Sequence, residues 1–594
     1  MIRKLVKQML AAQVLSALTV SVCLLIDSIM IGQFLGVTSI AAYGLANPLL
    51  LIIGAVGSML SAGAQVVCSR SLGRGSQEET NIGFSSAPAV GACFSAVFVI
   101  AVALLLSPLA RALGAGKDAK LLSDTKDYIS GFVIGVPATM ASLILVPFLQ
   151  MAGKSGLLVA AVLSMTVTDV AFDLLSVLVF GGGMFGMGLA SSLSYYAAML
   201  VGGGYLLSKK CVFRFSMRRV RLQKIRDMLL GGVPTVFNMA ASVVLVYLMN
   251  KILLSAGGSA AVAAFAVITS IGNASNCVST GLGGVSLTMC GILFGEEDRT
   301  GLKELVRLLA RYGLMLGMGA MVLLLAIAPW AVKLFIPEAG DSRTFAVWGL
   351  RLYSLGLIPC CLNSALKNGY QGVEKVRMTE MISVVQNAIL PVLAGCLLSL
   401  AGMKTVWLYN FAGEAGALAL ILLYLQRKGC LSFREAESVL LLPLSFGVPP
   451  EDRMEADIKN LDDVVKASRG AHGFCIAHGC GGRLANHLSL CVEEMGSNVI
   501  EHGFAPKGQN HLSIRLQYRN GKYTIRFRDD CGAFDPVHYV TGEEGMHKVG
   551  IRLAMHVAEE ARYTYSMNLN NLTLVLSEHE AGSEAPDAFA GQEG

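Results

Sequence analysis

The stretch DSIMIGQFLGVTSIAAYG, residues 27–44, returns in weaker form as NKILLSAGGSAAVAAFAV at 250–267. Each copy runs through an apolar segment into an acidic loop, GSQEET at 75–80 and GEEDRT at 295–300. The spacing from alanine pair to loop differs by about two residues between the copies. Read as one duplicated unit, the pair divides the first 430 residues into two halves of like design.

Composition says what those halves are made of. The chain has 594 residues, 54% hydrophobic and 15% charged, where a soluble domain carries about 25% charged residues. The average hides a split: all nine histidines lie at or beyond His472, whereas Trp330, Trp348 and Trp407 precede residue 430. Two regions meeting different solvents are joined in one chain. In the first, apolar runs of about 20 residues recur, the length an α-helix needs to cross about 30 Å of hydrocarbon. We place twelve: 10–33, 45–68, 85–110, 125–148, 156–180, 185–207, 228–254, 260–292, 312–335, 350–367, 381–402 and 405–425. The basic N-terminus MIRKLVKQM feeds an apolar run that continues past Asp27 with no small-residue cleavage site, so it reads as the first span and not as a removed signal.

Every second loop is basic. RSLGRG follows span two, KKCVFRFSMRRVRLQKIRD follows span six with eight basic residues against one acid, and NGYQGVEKVR follows span ten. Cytoplasmic loops carry this excess, so both termini are expected in the cytoplasm. The loops account for the net charge of +6, which leaves no argument for nucleic acid. The fourteen cysteines are scattered without a CxxC pair or metal-ligand spacing and read as reduced thiols. Six spans per copy, in repeats of about 1–207 and 228–430 joined by the basic loop 208–227, predict a six-plus-six membrane protein with a central cavity between two bundles.

Few ionisable groups lie deep within the spans. Asp27 is in the first, and Asp169 and Asp173 stand four apart, hence on one helix face, in LSMTVTDVAFDLLSV of the fifth. A carboxylate in hydrocarbon is costly, so it faces a cavity, a partner or an ion path. The alternative is a carboxylate hydrogen-bonded for packing or set at a wet rim.

At these residues the sequence is similar to a known family. LIDSIMIGQFLGVTSIAAYGLANPL (25–49) and DVAFDLLSVLVFGGGMFGMGLASSLSYY (169–196) resemble the first and fifth helices of multidrug and toxic compound extrusion (MATE) transporters, over roughly residues 5–428. The resemblance implies that Asp27 takes part in binding the coupling ion, proton or sodium. It also implies that Asp173 is the family's fifth-helix acid, while Asp169 stands where asparagine is usual. Asn250, which occupies the place of Asp27 in the second repeat, is neutral, so an ion path asymmetric between the halves is expected.

Past the proline-punctuated LLLPLSFGVPPED the chain becomes charged. The expected order is a membrane domain 1–430, a linker 431–447, a soluble domain 448–580 and a disordered acidic tail 581–594. Within the soluble domain we read helices over 454–479, 484–504 and 549–561. Strands are read over 511–521, 522–529 and 570–579, the first two joined by the turn RNGK. Helices with an antiparallel sheet in about 130 residues give an α+β sandwich. In SLCVEEMGSNVIEHGF (489–504), Glu494, Asn498 and His502 follow a spacing of four and share one helix face, with Leu490, Val492, Val499 and Ile500 free to pack inward. Alone, that pattern is a solvated polar face.

Its company is RFRDDCGAFDP (526–536) and KVGIRLAMHVAEEA (548–561). In this order the three elements resemble the GHKL-type (Bergerat) ATP-binding fold, and within it the anti-sigma-factor serine kinases, in which a VPPE-like start opens the domain and FDP closes the second motif. The match covers about 448–577. It implies Asn498 as the ligand of Mg2+, Glu494 as general base and Asp529 on the adenine amino group, with Asp530 the choice if the loop shifts by one. Gly550 becomes the lid glycine near the phosphates. Cys531 and Lys548 stand where glycines are usual. No GxxxxGK[ST] loop occurs in the sequence, so nothing points to a P-loop motor.

Together these readings predict a cation-coupled efflux antiporter of amphipathic small molecules in the bacterial cytoplasmic membrane, carrying a cytoplasmic ATP-binding regulatory domain. The alternative is a membrane-anchored protein-serine kinase or partner-binding switch that acts on a serine-bearing, anti-anti-sigma-like protein and uses the transporter half as a sensor.

Overall fold

The computed structural model describes all residues except Met1, 116–118, 209–210, 337–339, 431–434, 444, 506–509, 538–548 and 578–594. The expected acidic tail 581–594 and Lys548 lie outside the described residues. Two compact units result, the first holding Met1–Arg74 and Glu78–Pro443, the second holding the chain from Leu444 onward together with Gly75–Gln77.

The described residues of the first unit form helices and the turns that join them. Among the described residues nine helices are long and apolar enough to cross a membrane, or eleven if each of two bent pairs makes one span. The bends fall within two of the expected spans. Ala119–Val133 meets Val136–Met151 at 50°, and Asp341–Ser354 meets Leu357–Gly372 at 48°. In the first pair Pro137 opens the second helix, where its missing N–H costs nothing. Two other spans depart from expectation. The run 260–292 is two helices, because Leu222–Ser275 ends at Asn276 and Cys277–Gly295 begins there. The long helix is itself broken at Gly258, whose φ of 66° lies in the left-handed region that glycine tolerates. The last expected span, Tyr409–Arg427, is a helix of 19 residues with Glu414 buried inside it.

The two repeats close on one another at the end bearing the basic loops. Gly63 and Gly232 allow it: a Cβ on Gly63 would lie 1.9 Å from the Met228 carbonyl oxygen, and one on Gly232 would lie 2.0 Å from that of Met59. Small residues let membrane helices approach this closely. Polar pins act at the same end. Gln371 Nε2 donates to the Gly231 carbonyl at 2.7 Å, Gln65 Nε2 to that of Gly284 at 3.1 Å, and Arg70 pairs with Glu374.

The second unit is a five-stranded antiparallel sheet in the order β1-β2-β3-β5-β4. Its strands are β1 (Arg453–Ile458), β2 (Leu512–Arg519), β3 (Lys522–Asp529), β4 (Glu560–Ser566) and β5 (Leu569–Ser577). Alternate residues of the three central strands face one way, among them Ile514, Ile525, Phe527 and Leu574, and the helices Leu461–Ala477 and Gly482–Asn498 bury Val464, Leu488 and Val492 against them. Asn520 and Gly521, both at positive φ, make the two-residue turn between β2 and β3.

Two helical readings are corrected here. Residues 454–458 form the edge strand β1, since Met454 and Ala456 reach the core only when paired along β2. The helix read to 561 stops at Val557, and β4 follows with Ala561 and Tyr563 against the core. Part of the expected linker is also structured: Ala436–Leu440 is a 3-10 turn with Leu440 buried, Glu437 paired to Arg299 at 3.2 Å, and the Val439 carbonyl accepting from Tyr370 Oη at 2.8 Å.

Candidate functional site

Two sites emerge, one in each unit. In the membrane unit, the first helix, Ile2–Met30, runs beside Ser155–Leu175. That contact brings Asp27 into electrostatic reach of Asp169 and Asp173, with the Cys23 thiol and the Ser194 hydroxyl at the margin. All three aspartates are buried. Cys23 Sγ donates to Thr166 Oγ1 at 3.1 Å and ties the two helices one turn away. The carboxylates are not tied in the same way: Asp27 Oδ1, Asp169 Oδ1 and both oxygens of Asp173 are buried with no hydrogen-bond partner among the described residues. A packing carboxylate has its oxygens satisfied, and among the described residues these oxygens meet no donor. Both helices pass into π-helical turns just beyond the acids, at Ile31–Leu35 and Ser176–Phe180. Such turns occur often at functional sites because they rotate side chains out of the regular ladder.

The sequence reading missed two ionisable groups inside the second repeat. Lys367, on Leu357–Gly372, and Glu414, on Tyr409–Arg427, belong to one polar network. Lys367 closes the tenth expected span, directly before the basic loop that begins at Asn368, and Glu414 sits in the small-residue run FAGEAGALA within the twelfth, 405–425. Lys367 reads as the edge of a span, and Glu414 as a lone acid among small residues.

In the second unit two of the expected nucleotide residues, Asn498 and Asp529, line a cavity of about 480 Å3 together with His502, Phe534, Tyr563 and Asn570, whereas Glu494 and Gly550 are not among its lining residues. That volume falls within the roughly 300–1,000 Å3 of small-molecule sites. Asp529 closes β3 and is buried, with Oδ1 accepting from Asn570 Nδ2 at 2.7 Å and from the Cys531 amide at 3.0 Å. Burial holds its carboxyl above the usual carboxylate range, against the pull of these hydrogen bonds. Asn570, unmarked in the sequence reading, is the hub of this wall: its Oδ1 accepts from Tyr563 Oη at 2.6 Å and from the Phe534 amide at 3.2 Å. Asp530 is otherwise engaged, accepting from the His511 amide at 2.8 Å, and is not part of the cavity wall.

Asn498 ends its helix where the chain turns π-helical over Val499–Gly503, yet His502 still reaches the cavity. Asn498 Nδ2 donates to the Glu494 carbonyl at 2.7 Å, which leaves its side-chain oxygen as the atom suited to a hard cation. Glu494 stands against Gly550, where an added Cβ would lie 1.8 Å from Oε2. We therefore expect Gly550→Ala to push the partly exposed Glu494 carboxylate into another rotamer, at a cost of about 0.5–1.5 kcal/mol in unfolding free energy, read by denaturation of the purified chain. Burial pushes the Cys531 thiol up to about 12, so at the usual glycine position it acts as inert filling.

A polytopic bundle of two like repeats with buried acids in the first, joined to a small sheet domain with an acid-floored cavity, defines a membrane transporter carrying an ATPase-like domain. The MatE family profile matches residues 13–175 and 234–397, and the chain belongs to this family. The profile of the histidine kinase-like ATPase domain matches residues 459–576. Among solved structures, MATE in complex with MaL6 is similar with a TM-score of 0.67 at 16% identity, over 72% of this chain and 96% of that one. A MOP superfamily transporter from Pyrococcus furiosus is similar with a TM-score of 0.66 at 17% identity, over 74% of this chain and 97% of that one. At such identities the likeness shows the fold. The serine/threonine-protein kinase BtrW of Bordetella bronchiseptica is 26% identical over 101 residues, 16% of this chain and 70% of that protein.

Proposed function

We propose that the protein is a cation-coupled efflux antiporter of amphipathic small molecules whose second unit, taken as 448–580, is a cytoplasmic ATP-binding regulatory domain. It lies in the cytoplasmic membrane of a bacterium with both termini inside. The observation that carries the coupling is the trio Asp27, Asp169 and Asp173, buried together with four of their oxygens meeting no hydrogen-bond partner among the described residues. A proton or a sodium ion meets that need, and its binding and release change the charge of the first repeat by one unit at a time. In the second unit, Asn498 would hold Mg2+, Asp529 the adenine amino group and Gly550 the phosphate side; ATP would supply nucleotide-dependent control.

The test is substrate uptake into inverted vesicles with proton and sodium gradients imposed separately, with and without ATP. Uptake driven by one gradient supports the coupling; uptake that needs ATP and neither gradient removes it. Within the trio we expect Asp173→Asn to reduce uptake more than Asp169→Asn, by about tenfold or more, because only Asp173 holds the family's acid position. A silent Asp173→Asn beside an inactive Asp169→Asn would reverse the assignment.

One observation favours a second reading. The similarity to the kinase BtrW, together with Glu494 one turn before Asn498, fits transfer of the γ-phosphoryl group to a serine of a protein partner, with Glu494 accepting the hydroxyl proton. Phosphate incorporation into a serine-bearing protein that is lost in Glu494→Ala would establish it.

A further inference from the structure

The polar network of the second repeat spans four helices. Lys367 Nζ donates to Asn238 Oδ1 at 2.7 Å and to Gln386 Oε1 at 3.3 Å. Gln386 Nε2 donates to Glu414 Oε2 at 2.8 Å, as does Asn363 Nδ2 at 2.8 Å. The ammonium and the carboxylate are thus separated by one glutamine amide. Gln386 lies ten residues into the span Val376–Leu400, about 15 Å along its axis and so near the middle of a bilayer core.

The network has depth and an open side. Gln386, Asn363 and Glu414 are buried, whereas Asn238, Lys367 and Asn387 are only partly so. Its hydrogen bonding is also incomplete: Asn363 Oδ1 and the nearby Ser383 Oγ are buried with no partner among the described residues. Finally, Gln386 and Asn387 lie on a π-helical turn, Val385–Ile389. The same local device follows Asp27 in Ile31–Leu35 and Asp173 in Ser176–Phe180.

We propose that the second repeat holds its own proton-exchange site, Glu414 with Lys367 as its fixed cationic neighbour, acting alongside the aspartates of the first repeat. A carboxylate at this depth is costly unless neutralised, and two agents here can neutralise it: the Lys367 ammonium one amide away, or a proton. When a hydronium ion reaches the partly exposed side, its proton forms an O–H bond on Glu414 and a water molecule leaves. The network then changes from net zero to one positive charge. The other titratable groups facing Glu414 are Cys360 and Cys361, on the helix of Lys367, and Tyr353 on the helix before it. Thiols and phenols are neutral near pH 7, so Lys367 is the charge that matters. A cationic substrate over Asn238 and Lys367 meets repulsion from the protonated state and less from the neutral one. By linkage, substrate cation and proton then exclude one another, which is the sign an antiporter needs. Only this last step rests on the transporter reading.

The test is infrared difference spectroscopy of the full-length protein in lipid, recorded between alkaline and acid pH. The carboxylic-acid carbonyl band of a buried protonated group should appear on going from alkaline to acid pH. Incorporation of 13C-labelled glutamate should shift this band in the unmutated protein, which separates it from the aspartates without risk to folding. Glu414→Gln should remove it, and Asp27→Asn should leave it in place. No glutamate-derived band on acidification, or one that persists in Glu414→Gln, overturns the proposal and leaves the network as interhelical packing. Loss of uptake in Asp27→Asn with the glutamate band intact would leave both sites standing. Normal uptake in that variant would sink the Asp27 reading alone.

Discussion

Asp27→Asn abolishes gradient-driven uptake into inverted vesicles while the protein still inserts and folds. The substitution is nearly isosteric and removes charge from a depth where a carboxylate costs about 2.5–3.5 kcal/mol on insertion scales. Folding therefore has little to lose. The amide can bond Asp169 and Asp173 but cannot give up a proton or hold a cation by charge. Coupling fails for want of a titrating group. Uptake should fall to that of vesicles lacking the protein, with elution of the purified variant in detergent unchanged. Undiminished uptake in Asp27→Asn would move the ion site elsewhere, with Glu414 the first place to look.

Why this site was legible in sequence, and its counterpart was not, has a physical basis. Asp169 interrupts its apolar run, 156–180, near the middle, and Asp27 and Asp173 stand six and seven residues inside the ends of theirs, 10–33 and 156–180; acids within such runs, together with the family resemblance, sufficed to mark them. Lys367 closes the tenth expected span, 350–367, beside a basic loop, and Glu414 stands alone among the small residues of the twelfth, 405–425. A single Glu or Lys beside glycine and alanine carries no such information; their connection through Gln386 exists only in three dimensions.

The soluble unit repeats the lesson on a smaller scale. β3 and the turn at Asn520 and Gly521 follow from alternation and turn chemistry within one hairpin. The edge strand β1 does not, because MEADI reads as helix until its pairing with β2 is known. Asn570 escaped notice for the same reason. It lies two positions into β5 and acquires its role only because the register sets it opposite Asp529. Asparagine on a strand is ordinary in sequence; an asparagine bonded to a buried acid, a tyrosine and two loop groups is not.

That arrangement yields the sharpest expectation for nucleotide binding. Asp529→Ala should weaken ATP binding to the full chain by about ten- to hundredfold with or without Mg2+, since it removes a charged hydrogen-bond acceptor worth about 1.5–3 kcal/mol. It also strands the Asn570 amide, so Asp529→Asn serves as the control that preserves shape while replacing one acceptor oxygen with a donor. Asn498→Ala behaves differently. Its side-chain oxygen is the metal's, so binding should weaken by about tenfold when Mg2+ is present and hardly at all when it is chelated. Glu494→Ala should keep affinity in both conditions, because its role is to accept a proton during transfer. Calorimetry of the purified full-length protein in detergent distinguishes these patterns. Equal losses in Asn498→Ala with and without metal would make Asn498 a contact to the nucleotide itself. An unmutated chain that gives no heat with ATP would return the 480 Å3 cavity to another ligand.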